Sequence, residues 1–160
     1  MHAADRISRP TQTTCSLVAR LGPGSRTYYT TGASNPCMSP FFPLFSEQAL
    51  PRGYRAGGAE YNEDSYWWEA ERIHRRATAR FHRALEAIQP GLAAHEQEMI
   101  QAIESETEPP SQETADRFFK QARGLLTGFS KELDSLERER QGLLFRCYWR
   151  RYNRLNRIPG

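Results

Sequence analysis

The chain has 160 residues, 38% of them hydrophobic, with 22 basic against 19 acidic side chains, a formal net charge of +3 and a mean hydropathy of −0.75. That composition suits one modest domain with room for irregular chain, and no stretch approaches the roughly 20 consecutive apolar residues of a membrane-spanning helix. The basic excess is too small to make nucleic acid the default partner.

From Met1 to Ser46 the chain holds Arg6, Arg9, Arg20 and Arg26 against the single acid Asp5, among many Ser and Thr residues. Residues 1–29 therefore read as a transit-like segment, Arg-rich, Ser-rich and acid-poor, either removed or retained after import. Ile7 to Leu21 allows a short amphipathic stretch, broken by Pro10 and stopped by Gly22, Pro23 and Gly24. A plain disordered tail is the alternative. Residues 30–58 carry Gly32, Pro36, Pro40, Pro43, Pro51, Gly53, Gly57 and Gly58, which exclude a long helix or a central strand. The same stretch carries Phe41, Phe42, Leu44, Phe45, Leu50 and Tyr54, more apolar surface than a free linker uses. Two readings follow: an extended arm docking into grooves of another protein, or an arm folding back on the helices of this chain.

Beyond Glu60 the pattern turns helical. Tyr66, Ala70, Ile73, Ala77, Phe81, Ala84, Leu85, Ile88, Leu92, Met99 and Ile103 recur at three- and four-residue steps, predicting a helix from about Tyr61 to Ser105, with Asn62 to Ser65 as its capping end. Pro90 predicts a kink near Gln89 or two helices meeting there. Pro109 and Pro110 end this segment, and Ser111 caps a second helix running from about Gln112 to Asn156. Gly124 and Gly128, four apart, suit close approach of a neighbouring helix, or else merely weaken their own. The expected fold is all-α: a long antiparallel helical hairpin over residues 59–158 with an extended, irregular N-terminal arm.

Two helices hide only one stripe each, which leaves aromatic residues over. Phe41, Phe42, Phe45, Trp67, Trp68 and Trp149 are the candidate partner-binding residues, because exposed aromatic surface rimmed by charge marks an interface. Arg146, Arg150, Arg151, Arg154 and Arg157 form a basic end interleaved with Tyr148 and Tyr152. This end suits anionic lipid headgroups or an acidic subunit first and RNA second, with part of it serving only as cations at a helix C-terminus. Cys15, Cys37 and Cys147 form no CxxC pair, and the single Glu71-x-x-His74 is half of what a di-iron bundle requires. His82 and His95 read as surface or interface residues. Without a phosphate loop, a nucleophile elbow or clustered acid and base, no catalytic, cofactor or metal residue is assigned, and the chain reads as a non-enzyme.

The profile is that of an accessory subunit of a large mitochondrial inner-membrane energy-transducing complex, an ATP synthase or respiratory complex, lying peripheral to the membrane and bracing its neighbours. A mitochondrial ribosomal protein contacting rRNA through the C-terminal arginines is the alternative, and a cytoskeletal coiled-coil component the third reading.

Overall fold

Apolar, aromatic and β-branched residues dominate the two halves of the stretch from Leu17 to Thr31, separated by only two residues, and they form strands. In the computed structural model, which describes residues 12–22, 25–45, 48–105 and 111–159, β1 (Leu17–Gly22), β2 (Ser25–Thr30) and β3 (Phe42–Leu44) make one antiparallel sheet in the order β1-β2-β3. Val18 lies opposite Tyr29, and Tyr29 opposite Pro43. The expected all-α hairpin with an extended, irregular arm is thus corrected to a mixed fold, in which a small sheet packs on helices. The arm folds back on this same chain. Residues 1–11 of the transit-like segment and the Pro109–Pro110 connection lie outside the described residues.

The helices are α1 (Arg52–Arg55), α2 (Tyr66–Ala77), α3 (Phe81–Ser105), α4 (Gln112–Glu132) and α5 (Leu143–Leu155). Each of the two long helices expected is split in two. The first divides at a 3-10 turn, Thr78–Arg80, where the Thr78 hydroxyl donates to the Arg75 carbonyl at 2.7 Å, while α3 runs on through Pro90 as one helix. The second ends in another 3-10 turn, Leu133–Ser135, and resumes only at Leu143. The segment between them folds onto the first joint. Glu139 donates its backbone N–H to Ala79 O at 2.7 Å, its Oε1 accepts from the His82 N–H at 2.8 Å, and Gln141 Nε2 donates to Thr78 O at 2.6 Å. An acid distant in sequence thereby serves the open N–H groups and positive dipole of the α3 N-terminus. Local caps act as the sequence indicates: Ser65 accepts from the Trp68 N–H at 3.4 Å and Ser111 from the Thr114 N–H at 3.2 Å.

The core centres on Phe42. Its ring makes edge-to-face contacts with Tyr54, Tyr66 and Phe119 at centroid separations of 5.5, 5.7 and 5.0 Å, joining sheet, α1, α2 and α4 in one cluster. Gly32 sits beside it with φ of +53°, and a Cβ there would meet the Tyr54 ring at 2.3 Å, so backbone and packing both demand glycine. Close helix contact occurs at Gly91, whose added Cβ would meet Leu125 Cδ1 at 2.8 Å; Gly124 and Gly128 face open space and bring no helix close.

Residues 29–35 and 38–40 are buried although they contain irregular chain. The hydroxyl-rich composition makes this tolerable, because each buried polar group needs a partner. Thr31 Oγ1 accepts from the Ser16 N–H at 3.0 Å, Thr30 Oγ1 from the Gly32 N–H at 3.1 Å, and the Ser39 hydroxyl reaches Ser34 O at 2.8 Å. His95, expected at the surface, is buried instead, with Nε2 at 2.7 Å from Phe41 O, and so fixes the approach to β3 against α3.

Candidate partner-binding surfaces

A buried polar node decides how α5 is presented. Glu71 and His74 stand on the inner face of α2, and the loop carrying Ser34 and Ser39 closes over them. The Ser34 hydroxyl makes a short hydrogen bond to Glu71 Oε2 and lies 3.1 Å from His74 Nδ1, while His74 Nε2 faces Met38 O at 3.3 Å. Burial holds the His74 pKa down at about 4, so the imidazole is neutral at physiological pH. These are the residue types of a Ser–His–acid set in a different arrangement. The carboxylate engages the serine directly, the far imidazole nitrogen turns to a backbone carbonyl, and all three side chains are sealed from solvent. The node locks the loop to α2.

Its outward branch runs through Arg75. The guanidinium Nε donates to Glu71 Oε1 at 2.6 Å, and its terminal nitrogens donate to Asn153 Oδ1 at 2.9 Å and Asn156 Oδ1 at 3.1 Å on the α5 side. It also lies over the Trp149 ring at 4.9 Å and the Trp68 ring at 5.9 Å. A second tie joins Asn156 to the chain before α2: Asn156 O accepts from the Tyr61 N–H at 2.7 Å and Asn156 Nδ2 donates to Ala59 O at 3.0 Å. α5 closes without a glycine. Arg157 takes the left-handed conformation (φ +55°), and the bonds Arg157 N–H to Arg154 O and Ile158 N–H to Asn153 O, at 3.1 and 2.9 Å, complete a Schellman motif.

One face of α5 is therefore spoken for and the other is free. Trp149 is buried on the docked face, with Phe145 half-buried beside it. Outward point Arg146, Arg150 and Arg154, spaced by four along one stripe, with Arg151 on the next stripe. Among the described residues none of these four has an acidic partner; Arg157 differs, bonding Glu60 Oε2 at 2.9 Å in an exposed pair. Leu143, Leu144 and Leu155, exposed at 66%, 64% and 57%, interleave with the arginines.

The candidate aromatic residues divide. Phe42 and Trp68 are buried with Trp149, so their rings are committed inside the chain, whereas Phe41, Phe45 and Trp67 are half-buried and keep one side accessible. Trp67 and Trp68 meet edge-to-face at 4.8 Å, and their indole N–H groups donate to Thr14 O and Gly58 O at 3.2 and 3.1 Å. Arg75, Asn153 and Asn156, which position the basic face, were not marked by the sequence. Arg75 is one of the run Arg72, Arg75, Arg76 and Arg80, and nothing in the sequence singles it out from its neighbours. Among the described residues no helix is long and apolar enough to cross a membrane, and no three His, Cys, Asp or Glu side chains converge as metal ligands would. No family model, curated protein or solved structure matches this chain.

Proposed function

We propose that this protein is a non-catalytic accessory subunit of a large mitochondrial assembly, peripheral to the inner membrane and belonging to an energy-transducing complex of the ATP synthase or respiratory type. The observation that carries this reading is the outer face of α5. A helix tied to the body through Arg75 and Asn156 holds four arginines that have no counter-charge among the described residues, between exposed leucines, in a geometry suited to an acidic neighbouring subunit or to anionic headgroups. Arg75 and the Asn156 ties fix that helix to the body, so the face is presented at a set angle, as a brace requires. The Arg-rich, acid-poor character of residues 1–29 supports the mitochondrial address.

The test is native purification of the tagged full chain from gently solubilised mitochondria, followed by mass spectrometry. Stoichiometric respiratory or ATP synthase subunits are expected, and replacing Arg146, Arg150, Arg151 and Arg154 with Gln should release them. A lone monodisperse protein, or one absent from mitochondria, overturns the proposal. The second reading, a mitochondrial ribosomal protein, draws on Arg150, Arg151 and Tyr152 all being exposed on α5, a mixture of guanidinium and aromatic groups that suits phosphate and stacked base. Co-purifying rRNA, lost steeply as salt rises, would select it.

A further inference from the structure

The strand β1 is an edge with nothing on its outer side among the described residues. Ser16 turns its backbone toward β2, accepting from the Thr31 N–H at 3.0 Å. Antiparallel alternation then turns Val18, Arg20 and Gly22 the same way, and points the N–H and C=O groups of Leu17, Ala19 and Leu21 outward. The strand is also apolar where it is bare: Leu17, Val18 and Leu21 are exposed at 61%, 51% and 72%. Natural sheets normally blunt such an edge with charge, proline or cover. The opposite edge is blunted in this way, since β3 is three residues long, has Pro43 at its centre and packs against α4. β1 carries none of these devices except Arg20, whose guanidinium is drawn onto α3 by a short bond to Glu104.

We propose that β1 is a self-association edge, pairing antiparallel with β1 of a second copy of this chain about a two-fold axis at Ala19. The local sequence Leu-Val-Ala-Arg-Leu is close to palindromic in what matters. In the register centred on Ala19, Leu17 of each copy faces Leu21 of the other on one side of the sheet, with the two Ala19 residues between them. Every outward N–H and C=O of Leu17, Ala19 and Leu21 then gains a partner. Charge selects the same register. Arg20 falls opposite Val18 of the second copy and keeps its own Glu104, whereas centring on Arg20 would set two guanidiniums face to face. Centring on Val18 would leave Leu21 opposite Cys15, beyond the start of the strand. The paired strands merge the two sheets into one, the isologous arrangement a two-fold dimer requires.

Sedimentation velocity of the full chain over a wide concentration range tests this, with a concentration-dependent dimer expected. Ala19→Pro removes only an outward N–H, so it should abolish the dimer while leaving far-UV circular dichroism that of the folded monomer. A second pair of variants reads the register: Leu17→Lys with Leu21→Lys should lose the dimer, and Leu17→Lys with Leu21→Glu should restore it. In a background with both exposed thiols removed, Cys15→Ser with Cys147→Ser, Ala19→Cys should cross-link on mild oxidation, because the paired Cα atoms would lie about 5.5 Å apart. Leu17→Cys, four residues out of line with its own copy, should not. A protein that stays monomeric at every concentration overturns the proposal, as does a dimer indifferent to Ala19→Pro or to the charge exchange.

Discussion

The loop of residues 30–45 and the helix α5 look alike in composition, each mixing polar side chains with aromatics, yet one lies inside the protein and the other on its surface. The difference is in what their polar groups need. A hydroxyl is satisfied by one or two nearby backbone groups, so Thr30, Thr31, Ser34 and Ser39 can follow Phe42 into the core. A guanidinium needs a counter-charge and several acceptors. Arg75 finds them in Glu71, Asn153 and Asn156 and is taken in, while Arg146, Arg150, Arg151 and Arg154 find none among the described residues and stay out. Burial here follows the local supply of partners, not polarity as such.

That contrast can be broken most severely from the inside. Phe42→Ala empties the centre of the aromatic cluster and is expected to cost about 3–5 kcal/mol, read from the shift of the urea midpoint. Arg75→Ala leaves the Glu71 carboxylate buried without its cation, a loss also of about 3–5 kcal/mol, and frees α5 besides. Hydrogen exchange across residues 143–155 should then rise far more than across α4, whereas equal protection in both helices would show that Arg75 does not hold α5.

His74 sharpens the comparison through pH. Its pKa is depressed from 6.5 to about 4 by burial, so as pH falls between those values the unfolded chain takes up a proton that the folded one refuses. Stability therefore declines on acidification by about 3 kcal/mol in total and levels off below the folded-state value. His74→Gln should flatten that slope in a pH series of denaturation curves. The smallest effect is expected on the outer face. Replacing Arg146, Arg150, Arg151 and Arg154 with Gln should move stability by less than about 0.5 kcal/mol while abolishing association, which separates a surface kept for partners from one needed for folding.

Much of the helical part was legible. The caps at Ser65 and Ser111 and the start of α4 at Gln112 follow from local rules. The sheet was not legible, since Arg20 and Arg26 interrupt the alternation, Gly22, Pro23 and Gly24 read as a stop to a helical stretch, and the hydroxyls resemble a targeting segment. Leu136 and Leu143 keep helical spacing across a loop whose real determinant is Glu139 meeting the start of α3, a contact no local window contains. On the candidate surface, the arginines of α5 were visible as a cluster. That the helix is held by Arg75, and that Phe42, Trp68 and Trp149 are spent inside, depends on packing between segments far apart in sequence.

The ties to α5 also set an order of events. Arg75 waits for Asn153 and Asn156, 78 and 81 positions later in the chain, so during synthesis its guanidinium emerges well before its amide partners do. Closing contacts of such long span is slow compared with forming a helix, and domains build from the N-terminal side as they leave the ribosome. Until α5 arrives, the side of Arg75 that Trp149 and Asn153 cover lacks its partners, and a nascent chain halted between α4 and α5 should be a substrate for chaperones in a way the finished chain is not.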